Sequence, residues 1–364
     1  MIGVGIVGCN YGRTVLIPAF RHDPRCEVVA LAGAEGARTA GLAREINVAR
    51  AFGGWRELVE DRHVEAVAIA VPPDLQPTVA QRALELGKSV FLEKPLAADL
   101  AGAQLILESA HRSGRPTIID FNFPELPSWQ SAKRLLDGGA IGRLQNVVAT
   151  WNFENKSTRL RLESWKTRSV GGGGLLGNFV SHCFHYLEWL CGPISGLSAR
   201  VFALPGWSGD GSIALALAFA SSAGGSLQVS CASFLGSGHR IELYGEGGTL
   251  VLSNPTADYF RGFEVTLGRR SDDALKPVAF DSGDDTPSVD SRIAPAKQLV
   301  RRFLDACERG GAPSPGVAEG YRVQCLIEAA RCAHASGRWV DVAQPPGYGP
   351  DVVSGSLSKP QSRG

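Results

Sequence analysis

Lys94 and His182 are the two side chains of this sequence best placed to move a proton. Lys94 follows the apolar run Ser89-Val90-Phe91-Leu92 and its neighbour Glu93, so it stands at the end of a buried strand. An ammonium in a partly desolvated cleft has its pKa lowered, which lets it donate to a hydroxyl and pass on a proton. A surface ion pair between Glu93 and Lys94 is the plain alternative, and the local residues leave both open. His182 lies in Leu175–Cys191, where Leu176, Phe179, Val180, Cys183, Phe184, Leu187, Leu190 and Cys191 recur at steps of three and four. That spacing predicts a helix with one buried stripe. Asn178, His182, His185 and Trp189 fall on its other side. An imidazole that titrates near neutrality can serve as acid or base, whereas Asn178 can orient a hydroxyl but not trade protons. A satisfied, partly buried histidine is the competing reading of His182. His182 and His185 could share a cation, but the sequence signals no third ligand and no metal is expected.

Both residues need elements to hold them. From Met1 to about Asp120, strand-like runs at Val4–Val7, Val28–Ala32, Val64–Val71, Ser89–Leu92 and Thr117–Ile119 alternate with helical periodicity at Gly12–Arg21, Ala37–Glu45, Gln76–Leu86 and Leu100–Arg112. The repetition predicts a parallel sheet covered on both faces, a doubly wound α/β domain over 1–121. Past it, a helix at Trp129–Leu136 leads into alternating segments at Asn146–Phe153, Ala199–Leu204, Ser212–Ala220, Gly225–Ala232, Arg240–Tyr244 and Thr249–Leu252. These predict an open antiparallel sheet in a second domain over 122–344, closed by helices at Ala296–Glu308 and Val317–Ala335. The stretch 345–364, rich in Gly, Pro and Ser, reads as a flexible tail.

The motif G-x-G-x-x-G matches Gly3–Gly8, but that stretch is the first strand itself, and a phosphate cradle must follow the strand and open a helix. The useful turn is Gly8-Cys9-Asn10-Tyr11-Gly12, where glycines admit a pyrophosphate and the next helix offers its N–H groups. An ordinary tight turn is the alternative. Asn10 replaces an expected glycine, tolerable because asparagine visits the left-handed region more readily than most residues. After the second strand, Gly33 stands where an acid would read the adenosine ribose. Without that carboxylate a 2′-phosphate meets less repulsion and could pair with Arg38, so the sequence favours NADP over NAD. Arg38 as a solvated helix residue is an equal alternative.

With 364 residues, 44% of them hydrophobic, the chain exceeds one average domain and can bury a sizeable core. The 37 Lys+Arg against 36 Asp+Glu leave a net charge of +1, which disfavours nucleic acid and anionic membranes as partners. No apolar run approaches the roughly 18 residues of a membrane helix, and Met1 leads straight into strand-like sequence, so a cytoplasmic protein is expected. The 8 cysteines are scattered without C-x-x-C and suit reduced, buried thiols.

Gly5-Ile6-Val7-Gly8-Cys9, Val71-Pro72-Pro73-Asp74-Leu75-Gln76, Gly87-Lys88-Ser89-Val90-Phe91-Leu92-Glu93-Lys94-Pro95-Leu96-Ala97, Gly139-Ala140-Ile141-Gly142-Arg143-Leu144, and Gly171–Leu176 followed by His182 together resemble the glucose–fructose oxidoreductase/inositol dehydrogenase (Gfo/Idh/MocA) family. The motifs keep the family's order across roughly residues 1–340. The resemblance implies a Rossmann domain that binds NAD or NADP, a second α/β domain on an open, mostly antiparallel sheet, a substrate cleft between them, and a homodimer or homotetramer built through that sheet. It implies hydride transfer between nicotinamide and a secondary alcohol or ketone of a sugar, cyclitol or sugar derivative. His182 matches the family's base, Lys94 would donate and relay, and the Lys94–Pro95 peptide would be cis. Asn178 and His185 stand where the pattern has Asp, which excludes a carboxylate acting at 178 and leaves a structural hydrogen bond as the expectation for His185. Gly8, Cys9, Asn10, Tyr11, Gly12, Gly33, Arg38, Pro72, Gln76, Glu93 and Lys94 are the expected cofactor contacts. Gln76, where the family often has His, would line the nicotinamide pocket or else cap its own helix. Lys94, Trp165, Lys166, Asn178 and His182 would contact substrate, with Trp165 equally suited to the core. Two other functions stay open: a non-catalytic dinucleotide- or sugar-sensing regulator, and an NAD-dependent glycoside hydrolase.

Overall fold

The computed structural model describes residues 1–168, 171–207, 209–282 and 290–343, so the expected tail over 345–364 lies outside the described residues. Its first sheet contains β1 (Ile2–Val7), β2 (Cys26–Ala32), β3 (Arg50–Phe52), β4 (Ala66–Ile69), β5 (Ser89–Leu92) and β6 (Thr117–Ile119), in the order β3-β2-β1-β4-β5-β6. All pairings are parallel. β4, β5 and β6 are buried at every position, as strands sandwiched between helical layers must be. The strand order reverses between β1 and β4, which opens a ligand crevice at their carboxyl ends. Register makes those ends level: Val7 faces Ile69, Ile69 faces Leu92, and Leu92 faces Ile119. Gly8, Ala70, Glu93 and Asp120 therefore stand in a row along the rim.

β3 and the helix Trp55–Glu60 escape the sequence reading, because β3 has 3 residues and none is fully buried. A short edge strand carries too little apolar pattern to register.

The second sheet holds β7 (Leu144–Asn152), β8 (Ile194–Ala203), β9 (Asp210–Phe219), β10 (Gly224–Ser230), β11 (Gly238–Gly245), β12 (Gly248–Asn254), β13 (Glu264–Arg269), β14 (Lys276–Pro277) and β15 (Val340–Asp341). Their order is β14-β13-β12-β11-β7-β10-β9-β8-β15, antiparallel throughout except for the parallel pair β7–β10. Val147, Ala149 and Trp151 of β7 and Ile213, Leu215 and Leu217 of β9 share one buried cluster with Cys183, Phe184 and Leu187. The strands β13, β14 and β15 are additions that the sequence pattern does not announce; the last two have 2 residues each.

Two late helices tie the sheets together. Phe303 of Ile293–Arg309 meets Phe20 and Phe91 edge-to-face at 6.3 and 5.9 Å, which fixes that helix against the first sheet. Arg322 of Val317–Ser336 forms a fully buried ion pair with Glu188 at 2.8 Å. All eight cysteines are free thiols: Cys26, Cys183 and Cys231 are buried, Cys332 is exposed, and the others lie between. Among the described residues, no helix is long and apolar enough to cross a membrane.

Candidate active site

The last backbone rung of β5 is the Glu93 N–H donating to Ile69 at 3.0 Å, after which Pro95 cannot extend the ladder and the chain turns. The Lys94–Pro95 peptide is cis, as the resemblance implies. Gln76 holds this turn: buried, it donates through Nε2 to the carbonyls of Glu93, Pro95 and Leu96 at 2.6, 3.1 and 3.0 Å. That corrects one of the two expectations for Gln76, the cap. It makes no cap on its helix, and its amide nitrogen is spent on the backbone, while Oε1 is buried with no partner among the described residues.

Lys94 reaches away from its neighbour. Its Nζ donates to the Asn178 carbonyl at 2.7 Å and approaches Asn178 Oδ1 at 3.3 Å, and among the described residues no Glu93–Lys94 ion pair forms. Burial lowers the ammonium to about 8, Lys166 and Arg292 push the same way, and Glu93 and Asp120 oppose them.

The opposite wall of the cleft comes from the glycine loop. Gly172 has φ +82, and a Cβ there would lie 2.4 Å from Ala98 Cα, so only glycine lets the loop run against the segment that follows Lys94. The chain then makes a wide π turn over Leu176–Val180, a form that recurs at functional sites, and continues as the helix Ser181–Cys191. Asn178 sits in that turn and His182 one turn later. This helix is buried almost all round, so the side bearing Asn178, His182 and His185 packs towards the first sheet rather than into open solvent. His182 is 8% exposed and meets the edges of Phe121 and Phe123 at 6.1 and 5.2 Å. Burial, then the charges of Lys94, His185 and His239, hold its pKa well below the usual value, which leaves the ring neutral in the absence of substrate. His185 lies flat on Phe121 at 4.2 Å, and burial takes it to about 3. A ring stack, in place of the expected hydrogen bond, is what holds it.

Trp165 is half-buried and outside the core clusters, and the exposed Lys166 lies with Nζ 5.7 Å from its ring. The Lys166 charge is felt at both Glu93 and Lys94.

The cofactor turn lies beside them. Gly8 has φ +118, and a Cβ would come 2.2 Å from the Ala70 carbonyl oxygen, so the chain crosses the rim with no side chain in the way. Gly12 opens a π turn over Gly12–Leu16 that runs into the helix Ile17–Arg21. A side-chain-free crossing of the rim ahead of a helix start fits the pyrophosphate of a dinucleotide. Asn10 does not need the left-handed conformation allowed for it: among the described residues, the non-glycine residues with positive φ are Asn47, Arg161, Ser222 and Leu235. Its carbonyl instead accepts from the Thr14 N–H and hydroxyl at 3.1 and 3.2 Å, which begins the helix. Gly33 has a packing reason, since a Cβ would lie 2.5 Å from Cys9 Sγ and 2.6 Å from Thr39 Oγ1. Pro72 is exposed beyond β4, and the exposed Arg38 lies 3.8 Å from Glu35. Tyr11 donates its hydroxyl to Asp120 Oδ2 at 2.7 Å, beneath the Arg292 guanidinium at 5.2 Å from its ring.

Sequence reasoning passes over Asp120, Asn122 and Arg292. Asp120 could have been found, because it follows β6 as Glu93 follows β5; Arg292 comes from 170 positions beyond the domain junction region and carries no local signal. A cavity of about 610 Å³ opens elsewhere, against Pro24, Phe260 and Lys297, and none of the expected site residues lines it.

Comparison with known proteins agrees with the fold. Residues 2–121 match the model of the oxidoreductase family with an NAD-binding Rossmann fold, and residues 129–251 match the GFO/IDH/MocA C-terminal domain. An uncharacterized oxidoreductase of Synechocystis sp. is 28% identical over 93% of this chain and 95% of its own length. Levoglucosan dehydrogenase of Pseudarthrobacter phenanthrenivorans is 25% identical over 88% and 90%. A solved levoglucosan dehydrogenase in complex with NADH superposes with a TM-score of 0.85 at 23% identity, covering 94% of this chain and all 100% of that one. With residues 2–121 and 129–251 matched by the models of its two domains, the chain belongs to the GFO/IDH/MocA family of oxidoreductases.

Proposed function

We propose that the protein transfers hydride between NAD and a secondary alcohol or ketone of a sugar, cyclitol or sugar derivative. The observation that carries this reading is the Lys94–Asn178 contact at 2.7 Å, which joins the rim of the Rossmann sheet to the helix bearing His182. NAD, when bound at the Gly8–Gly12 turn, supplies the hydride acceptor or donor. The chain supplies the rest. Lys94 donates a hydrogen bond to the carbinol oxygen, and neutral His182 takes the hydroxyl proton during oxidation and returns it during reduction. Asn178 holds the ammonium and orients the hydroxyl. Phe121 and Phe123 keep water from the imidazole, and Trp165 and Lys166 receive the substrate.

NAD is proposed over NADP because Glu35, two residues past Gly33 and next to Arg38, sets a carboxylate near the end of β2 where a 2′-phosphate would be repelled. The levoglucosan dehydrogenases with similar folds carry NADH in their complexes. Assembly as a homodimer or homotetramer is proposed through the outer face of the second sheet, where β9 presents the small side chains Ser212, Ala214, Ala216 and Ala218. The test is a thermal-shift comparison of NADH and NADPH, followed by a screen of sugars and cyclitols for change in nicotinamide absorbance. A larger shift with NADH and substrate-dependent absorbance change support the reading; sugar binding without absorbance change supports a sensor instead.

A further inference from the structure

Glu93 and Asp120 occupy equivalent places. Each follows the last residue of its strand, Leu92 faces Ile119 across the parallel pair, and Asp120 N–H donates to Leu92 at 2.8 Å. Neighbouring strands lie about 4.8 Å apart, so the two side chains leave the rim side by side. Their carboxyls come within hydrogen-bonding reach. Two carboxylates held side by side repel each other when both are charged, and burial makes that worse.

The hydrogen bonds around the pair are lopsided. Tyr11 donates to Asp120 Oδ2 at 2.7 Å, while Asp120 Oδ1 is buried and no protein donor reaches it among the described residues. A buried acceptor without a donor, beside a second carboxyl, is satisfied when that second carboxyl carries a proton. Lys94 agrees: its backbone N–H approaches Glu93 Oε2 at 3.2 Å, yet its ammonium turns to Asn178.

We infer that Glu93 and Asp120 share one proton, carried on Glu93 and donated to Asp120, and that Asp120 is thereby a positioning residue that keeps Lys94 out of an ion pair with Glu93. The groups that face the pair are Tyr11 from the cofactor turn, Lys94 from its own strand end, Lys166, and Arg292, itself bonded to Asp290 at 2.6 Å. Burial raises both carboxyls, Glu93 further because the charge and hydrogen bond of Asp120 push it the same way, while the Glu93 and Tyr11 hydrogen bonds restrain Asp120. The consequence for Lys94 rests on the function proposed above; the shared proton does not, and it is read without substrate.

Infrared difference spectroscopy of the whole protein at pH 7 tests it. The wild type minus Glu93→Gln spectrum is expected to show the C=O stretch of a protonated carboxyl, and Asp120→Asn, with no carboxylate left to share the proton, is expected to lose the same band. Absence of the band from the wild-type difference, or its survival in Asp120→Asn, overturns the inference. Should either variant fail to fold, Tyr11→Phe serves. Removing the donor to Asp120 is expected to hold the band to a higher pH than in the wild type, and an unchanged or lower limit contradicts the shared proton.

Discussion

The Lys94 ammonium donates to the backbone carbonyl of Asn178 at 2.7 Å, so a side chain from one sheet is satisfied by the helix that packs on the other. The carbonyl belongs to the turn before His182. One contact thus ties the ammonium on one wall of the cleft to the helix that carries the imidazole on the other, and each group makes a distinct demand on experiment.

His182→Asn is expected to lower kcat by about a hundredfold or more, the usual worth of a positioned acid or base, with NADH affinity unchanged. Steady-state kinetics on any substrate found in the sugar and cyclitol screen measures it. Wild-type kcat in the variant would assign the proton to another group.

The ketone-reducing rate should fall as pH rises through about 8, because Lys94 donates only while protonated and burial sets its pKa there. Lys94→Arg keeps a charge at every accessible pH, so the residual rate of that variant should lose the alkaline fall. A fall that persists in the variant belongs to a different group.

Stability should drop in acid. His182, His185 and His239 are all held below the histidine value of 6.5, the last two at about 3, with burial as the leading cause. Above pH 6.5 the rings are neutral in folded and unfolded chain alike; below it the unfolded chain binds protons that the folded rings refuse. Each ring therefore costs about 1.4 kcal/mol per pH unit as pH falls from there towards its folded value. Glu93 and Asp120, with raised carboxyls, act in the opposite sense over the carboxylate range. His185→Phe preserves the stack on Phe121 and should give a shallower acid-unfolding curve; an equal slope contradicts a buried neutral ring.

Gly8→Ala forces a side chain to φ +118 and to within 2.2 Å of the Ala70 carbonyl. A cost of about 1–3 kcal/mol and a reduced thermal shift with NADH are expected. A shift equal to the wild type's would move the dinucleotide away from this turn.

The sheets were legible because burial on both faces writes near-continuous apolar runs into β1, β4 and β5, and burial on one face writes the alternation of β7 and β9. Lys94 and His182 were legible through motif and spacing. The hold of Gln76 on the turn was not legible, because its amide nitrogen serves backbone carbonyls that approach it only after the turn at Pro95 folds. Asp120 and Tyr11 meet across 109 positions, and Arg292 reaches Tyr11 from the start of a distant helix. No period or local motif encodes such meetings; they exist only when β6 pairs with β5 and the helix Ile293–Arg309 docks on Phe20 and Phe91.

The most direct measurement follows nicotinamide absorbance in wild-type protein and in Lys94→Ala, each with NAD or NADH and a panel of sugars, cyclitols and their ketones. Substrate-dependent change in the wild type, lost in a variant that still folds and still gains thermal stability from NADH, is the expected result. Equal turnover in the two proteins would contradict the role given to the ammonium at the end of β5.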